Sequence, residues 1–294
     1  MCAAGVTIEL RTPDVHGLAA VVAALGDWQH DAAPLQLHPG DLGWSWRAGA
    51  GATAAAVRTW SQDGRLLAIG LLDGPGVVRL TVAPDVWRDE ELAGRVVADV
   101  ADPQRGVLPT GEVSVEAPTG SRVHDLLRGE VGWREGERWT PLRRDLTEPV
   151  PRPALGVEVV GPGEVAAFTA VHRSAWDSAR FTEETWHAMA AGPAFADARC
   201  LLGRDEHGVA VAGVTVWSAG PGRPGLIEPM GVHAEHRGRG HGTAICVAAA
   251  AALAELGAAS ALVCTPTSLV SAVATYEAAG FRRLPERFDR TRDV

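Results

Sequence analysis

The chain is poor in several features that would assign it quickly. It has four cysteines, Cys2, Cys200, Cys246 and Cys264, and no CxxC pair. Spacing this wide argues against a disulfide scaffold or a structural zinc site. Cys246 and Cys264 lie in apolar runs and read as small core residues. Basic excess is also missing: 27 Lys and Arg stand against 36 Asp and Glu, for a net charge of −9. Binders of nucleic acid or membrane surfaces usually show the opposite balance, so any anion site here must be local. The start "MCAAGVTIEL" lacks the basic segment and long apolar run of a signal peptide. No apolar stretch is long enough to span a bilayer, since "TAICVAAAAALAELG" is short and carries a charge near its end. The expectation is a soluble cytoplasmic protein, monomeric or homodimeric, with no metal.

What is present suits one or two globular cores: 294 residues, 46% apolar and 21% charged. Near the midpoint "LTEPVPRPALG" places prolines at 149, 151 and 153, which neither a helix nor a central strand tolerates. It predicts a linker over 149–155, between halves spanning 1–148 and 156–294. The halves resemble each other. Val15, Leu18 and Val21 correspond to Val165, Phe168 and Val171 at a constant offset of 150. "DGRLLAIGLLDGPGVVRLTVAPD" resembles "HGVAVAGVTVWSAGPGRPGLIEPMGVHAE", and "SRVHDLLRGEVGW" resembles "SAVATYEAAGF". The same order of three elements at nearly one offset indicates duplication.

In the second half, 208–217 and 225–232 read as strands around a Gly/Pro turn. From about Gly242 to Leu256 the apolar spacing turns helical. "SALVC" is a short buried strand, 268–279 a second helix, and Phe281 opens a last strand. Strands alternating with helices predict an α+β domain built on a mixed sheet.

Between the strand ending near Val232 and that helix lies "HRGRGHG". A helix start offers unpaired N–H groups and partial positive charge, and glycines let an anion reach the backbone. The stretch therefore reads as a phosphate-binding loop. It is not GxxxxGK[ST], and no Lys is present there; Gly238, Gly240 and Gly242 give GxGxG, not GxGxxG.

The remaining pattern, Arg-x-x-Gly-x-Gly at Arg237, Gly240 and Gly242, resembles the acetyl-CoA pyrophosphate loop of the GNAT N-acetyltransferase superfamily. "ATYEAAGF" resembles that family's later helix, where a Tyr precedes Gly-Phe. The interval between the two also fits helix, strand, helix. The resemblance covers most of 156–290 and implies acetyl-CoA as co-substrate and an amine as acceptor. It implies that the backbone of Val232, His233 and Ala234 pairs with the pantetheine arm where two strands splay at a bulge. The amides of Gly238, Arg239, Gly240, His241, Gly242 and Thr243 would hold the pyrophosphate. Arg237 and Arg239 would add charge, or simply be solvated.

Tyr276 is the only tyrosine, and its place matches the family's general acid; the alternative is a half-buried helix tyrosine. Glu228, in "LIEPMGV", shares a strand face with Met230 and Val232. A carboxylate there is costly unless paired or functional, so it is either the base or an arginine's partner. Imidazoles as a class can serve as bases, which makes His233 and His236 rivals, but they sit on the other face and in the loop and read as incidental, and His172 and His187, in helices, read as structural. Trp176, Phe181 and Trp186 correspond to the family's acceptor-lining region, with Asp177, Glu183 and Glu184 beside them; for most of this set the preferred reading is tryptophans in the core and acids on a solvated face. Two departures stand out. Leu269 replaces the Asn often found seven residues before the Tyr, leaving Thr265, Thr267 or Ser268 to cap that helix. In the first half Trp87, Glu90 and Leu92 replace Arg237, Gly240 and Gly242, and Leu126 replaces Tyr276. The whole therefore resembles a tandem GNAT protein: two domains, each a mixed, mostly antiparallel sheet flanked by helices, the first degenerate. It implies N-acetyl transfer to a small-molecule primary amine by direct attack in a ternary complex. An acyl-CoA-binding sensor without turnover is the competing reading.

Overall fold

The computed structural model describes residues 7–293, so Cys2 and the first part of "MCAAGVTIEL" lie outside the described residues. In the first half, β1 (Glu9–Arg11) is followed by α1 (Leu18–Asp27), α2 (Pro39–Ser45) and α3 (Ala50–Ala56). Then come β2 (Val57–Gln62), β3 (Arg65–Leu72), β4 (Val77–Val82), α4 (Glu90–Ala101), β5 (Val113–Glu116), α5 (Arg122–Gly129) and β6 (Arg134–Asp145). The second half repeats this order: β7 (Gly156–Val159), α6 (Val165–Trp176), α7 (Glu183–Ala190), β8 (Ala198–Arg204), β9 (Ala210–Trp217), β10 (Pro224–Val232) and α8 (His241–Glu255). It ends with β11 (Ser260–Pro266), α9 (Val270–Ala278), β12 (Arg282–Arg283) and β13 (Arg287–Arg292). In both halves one pairing is parallel, β4 with β5 and β10 with β11, and the strands before it are antiparallel.

All strands belong to one mixed sheet, in the order β1-β2-β3-β4-β5-β13-β6-β11-β10-β9-β8-β7, with β12 beside β6. The halves trade their last strands. β13 lies against β5, and β6 lies antiparallel to β11 from Ser260↔Asp145 to Pro266↔Trp139. Residues 146–155 join β6 to β7 without helix or strand, as three closely spaced prolines dictate. Helix α9 starts on Leu269 with no side-chain cap. Thr265, Thr267 and Ser268 therefore do not cap it, and the Thr267 hydroxyl pairs with that of Thr140 at 2.8 Å. Among the described residues no helix is long and apolar enough to cross a membrane.

One contact between the halves positions the site. Trp217, on β9, is fully buried, and α2 of the first half lies flat against its indole. The fit depends on two glycines: a Cβ on Gly40 would stand 2.4 Å from Trp217 Cγ, and one on Gly43 2.3 Å from Cζ3. His38 fixes the entry to α2. Its Nδ1 accepts from the Gly40 amide at 3.0 Å, which leaves Nε2–H to donate to Pro224 O at 3.1 Å. Burial pushes this imidazole down to about 4, so it is neutral at physiological pH.

Candidate active site

Strands β10 and β11 pair only from Pro224↔Ser260 to Leu226↔Leu262. Beyond that point they part. The register of β10 against β9 shifts between Ile227 and Met230, so Glu228 and Pro229 form a bulge. Pro229 has no N–H to continue a ladder. After the bulge, Gly231 pairs with Gly213, Val232 with Ala212, and the His233 amide donates to Val211 O at 2.9 Å. Antiparallel alternation then turns the N–H and C=O of Val232 toward the opened side. The His233 amide is engaged with β9, and the Ala234 amide donates to Ser174 Oγ at 3.0 Å. Of these three residues, Val232 is the one whose backbone faces the cleft.

Helix α8 begins where the splayed strands open. Gly238 and Gly240 have φ of 76° and 83°, conformations that side chains with a Cβ rarely adopt. Gly240 provides no side-chain cap, and the amides of residues 238–243 find no acceptor among the described residues. Gly242 sits tightly, since a Cβ there would stand 3.0 Å from Thr275 Cγ2. Unpaired amides at a helix start, approached over glycine, form an anion cradle. Arg237 is engaged elsewhere, donating to Ala175 O at 2.6 Å. Arg239 is exposed and outside the cavity lining.

The cleft continues into a cavity of about 1540 Å³ walled by both halves. Glu228 and Tyr276 both face it. The Asp41 carboxyl of α2 lies close enough to Glu228 for its charge to act on it. Burial, then Asp41, push Glu228 up to about 8, while the Arg79 cation opposes them. Arg79 ties Asp41 at 2.7 Å to Glu116 at 2.9 Å, and Arg287 of β13 lies 2.9 Å from the other Glu116 oxygen. The exchanged strand thus reaches Asp41, beside Glu228, through a chain of buried ion pairs. Burial holds the Tyr276 phenol well above its ordinary value, and its hydroxyl has no protein partner among the described residues. Such a phenol stays protonated and free to donate into the cavity. Cys264 also lines the cavity, but burial raises its thiol and disfavours the nucleophilic thiolate.

The other wall is aromatic. His172 stacks on Trp176 at 4.3 Å, meets Phe181 at 4.4 Å and Trp44 at 5.4 Å. Trp176 and Phe181 line the cavity. Trp186 does not: it is 7% exposed and packs edge-on to Phe195 at 5.8 Å, within the core beneath α6 and α7.

Residues 165–281 match the model of the acetyltransferase (GNAT) family. The C-terminal half is a GNAT-family domain. No curated protein matches the sequence. Solved structures share the fold along the full chain at low identity. A GCN5-related N-acetyltransferase from Sphaerobacter thermophilus is 18% identical with a TM-score of 0.58, covering 98% of each chain. A tandem GNAT protein from the clavulanic acid biosynthesis pathway is 15% identical with a TM-score of 0.60, covering 97% of this chain and 98% of its own. A GNAT-family acetyltransferase from Colwellia psychrerythraea is 14% identical with a TM-score of 0.62, covering 98% of this chain and 100% of its own.

The equivalent helix start in the first half has a different design from that of the GNAT domain. Asp89 caps α4, accepting from the Leu92 amide at 2.7 Å, with Glu90 and Glu91 in the first turn. These carboxylates fill and repel where α8 is open. What the first half does bring to the GNAT domain is the far side of the cavity, Trp44, Arg47 and Arg79, with Asp41 buried behind them. Sequence reasoning passes over all four. Arg79 carried a readable signal, a lone charge inside the apolar strand "VVRLTV", the same kind of signal that marks Glu228.

Proposed function

We propose that this protein is an acetyl-CoA-dependent N-acetyltransferase acting on a primary amine of a small molecule, by direct attack in a ternary complex. The observation that carries the reading is convergence. Unpaired α8 amides, the open edge of β10, a carboxyl with raised pKa and a free phenol all face one cavity. The residues fit the co-substrate: the amides of Gly238 to Thr243 suit a pyrophosphate, and Val232 offers strand-like hydrogen bonds to an extended amide-bearing arm. Acetyl-CoA, when bound, supplies an activated acetyl thioester.

Glu228 accepts the proton that the acceptor ammonium must lose, directly or through water. Its raised pKa brings it near the amine's own value, which suits reversible proton transfer near neutrality. Tyr276 donates to the departing thiolate. Holding both partners in one cavity supplies the orientation that acyl transfer needs.

The test is thiol release from acetyl-CoA across a panel of primary amines, comparing wild type with Tyr276→Phe and Glu228→Gln. Each variant is expected to lose about 100-fold or more in kcat, with CoA affinity preserved. CoA binding without turnover of any amine, and no effect of either substitution, would establish a non-catalytic acyl-CoA sensor instead.

A further inference from the structure

The aromatic wall contains a cation without a counter-ion. Arg47 is half-buried and lies over the Trp44 ring, 4.2 Å from its centroid. Its one protein hydrogen bond goes to Trp44 O at 2.6 Å, and among the described residues no carboxylate lies within ion-pair distance. Burial lowers its affinity for the proton; Asp73 and Glu228 act on it only through space. A guanidinium has five donors in a planar fork, and here most remain unused at the cavity surface. His172 beside it has both ring nitrogens buried without a partner among the described residues, closed off by the rings of Trp176 and Phe181. Half-buried charged groups normally have partners, so the Arg47 donors left open on this wall mark a place for a polar ligand group. Around them Trp44, Trp176 and Phe181 present flat apolar surface, and Glu228 stands on the floor, within electrostatic reach of Arg47.

We propose that the acceptor is a carboxylate-bearing amine with a planar apolar body, an aromatic amino acid in chemical class. Its carboxylate would sit on Arg47, its ring against the cavity-facing surface of Trp44, Trp176 and Phe181, and its amine on Glu228. The pairing matches charge to charge: a bidentate guanidinium–carboxylate contact at one end, a carboxyl base at the other. This inference rests on the acetyltransferase reading for its turnover arm, but not for its binding arm.

The test uses the full chain with three matched pairs: phenylalanine, tyrosine and tryptophan, each against its decarboxylated amine. Thiol release gives kcat/KM, and calorimetry in the presence of CoA gives affinity. The wild type is expected to favour the amino acid of a pair by about 10- to 100-fold, the range of a charge-assisted hydrogen bond. Arg47→Ala should bring that ratio to within about twofold of unity, mainly through KM, and Arg47→Lys should restore part of it. Circular dichroism checks that both variants fold. Equal or better use of the decarboxylated amines overturns the proposal, and so does failure of either member of every pair to bind. Arg47-dependent binding of the amino acid without thiol release supports this site and instead refutes the acetyltransferase reading.

Discussion

Replacing Asp41 with Asn should move the pH dependence of the reaction, although Asp41 belongs to the half whose equivalent helix start is capped and lined by carboxylates. Glu228 titrates high, at about 8, because it is buried and faces the Asp41 carboxyl. Two like charges about 4 Å apart at an effective dielectric near 20 repel by about 4 kcal/mol. At about 1.4 kcal/mol per unit, that is close to three pKa units. Arg79, 2.7 Å from Asp41, neutralises part of this repulsion, which leaves roughly one to two units as the net share of Asp41. The sign follows directly. Removing the neighbouring negative charge favours ionised Glu228, so its pKa falls. In the wild type, log kcat should rise with pH through a limb near 8. In Asp41→Asn the limb should move down by about one to two units, with more base available at neutral pH. Asparagine keeps the shape and a hydrogen-bond partner, so α2 should stay docked, which an unchanged melting transition would verify. The assay is thiol release at saturating acetyl-CoA and amine, from pH 5 to 10. A wild-type limb at an ordinary carboxylate value, or an unmoved limb in folded Asp41→Asn, would refute the coupling.

Two other substitutions probe the scaffold. Gly43→Ala places a Cβ 2.3 Å from Trp217 Cζ3 and should cost about 1–3 kcal/mol as overpacking. Thermal unfolding should show it clearly, whereas Gly51→Ala in α3, where a Cβ meets nothing within 4 Å, should be neutral or stabilising. Gly240→Ala has open space around its Cβ but a φ of 83°, so it should cost about 1–2 kcal/mol of backbone strain. It should raise the KM for acetyl-CoA more than it lowers kcat; an unchanged KM would count against the α8 amides as the pyrophosphate cradle.

The legible parts of the fold were those governed by local chemistry. Glycines before an apolar helix mark the start of α8, and β9 and β10 follow from short apolar runs around a turn. Glu228 shows itself because a charge inside an apolar strand demands a reason, and Tyr276 because of its place before Gly-Phe. The far wall of the cavity was hidden for a physical reason. Asp41, Trp44 and Arg47 reach the site because Gly40 and Gly43 admit the Trp217 ring, a complementarity between residues more than 170 apart. No periodicity records that. Trp176 and Trp186 look alike in sequence, and only tertiary packing sends one to the cavity and the other to the core. The strand exchange was equally invisible, because "RFDRTR" pairs as well with one neighbour as with another.

That exchange predicts how the chain can be divided. A fragment spanning 156–294 keeps the GNAT match but loses β6, leaving β11 an open edge along the seven positions from Ser260 to Pro266. It also leaves β13 without either of its neighbours, β5 and β6. Unpaired edges of this kind favour aggregation, and the fragment further loses Asp41 and Arg79 from beneath Glu228. It should therefore fail to fold alone. Cutting within 149–155 instead removes no strand, and fragments 1–152 and 153–294 made together should associate and release thiol from acetyl-CoA with the amines the intact chain uses. Co-purification and cooperative unfolding measure the outcome. A soluble, cooperatively folded 156–294 that binds acetyl-CoA by itself would show that the shared sheet is dispensable. The first half would then be an accessory, not part of the site's foundation.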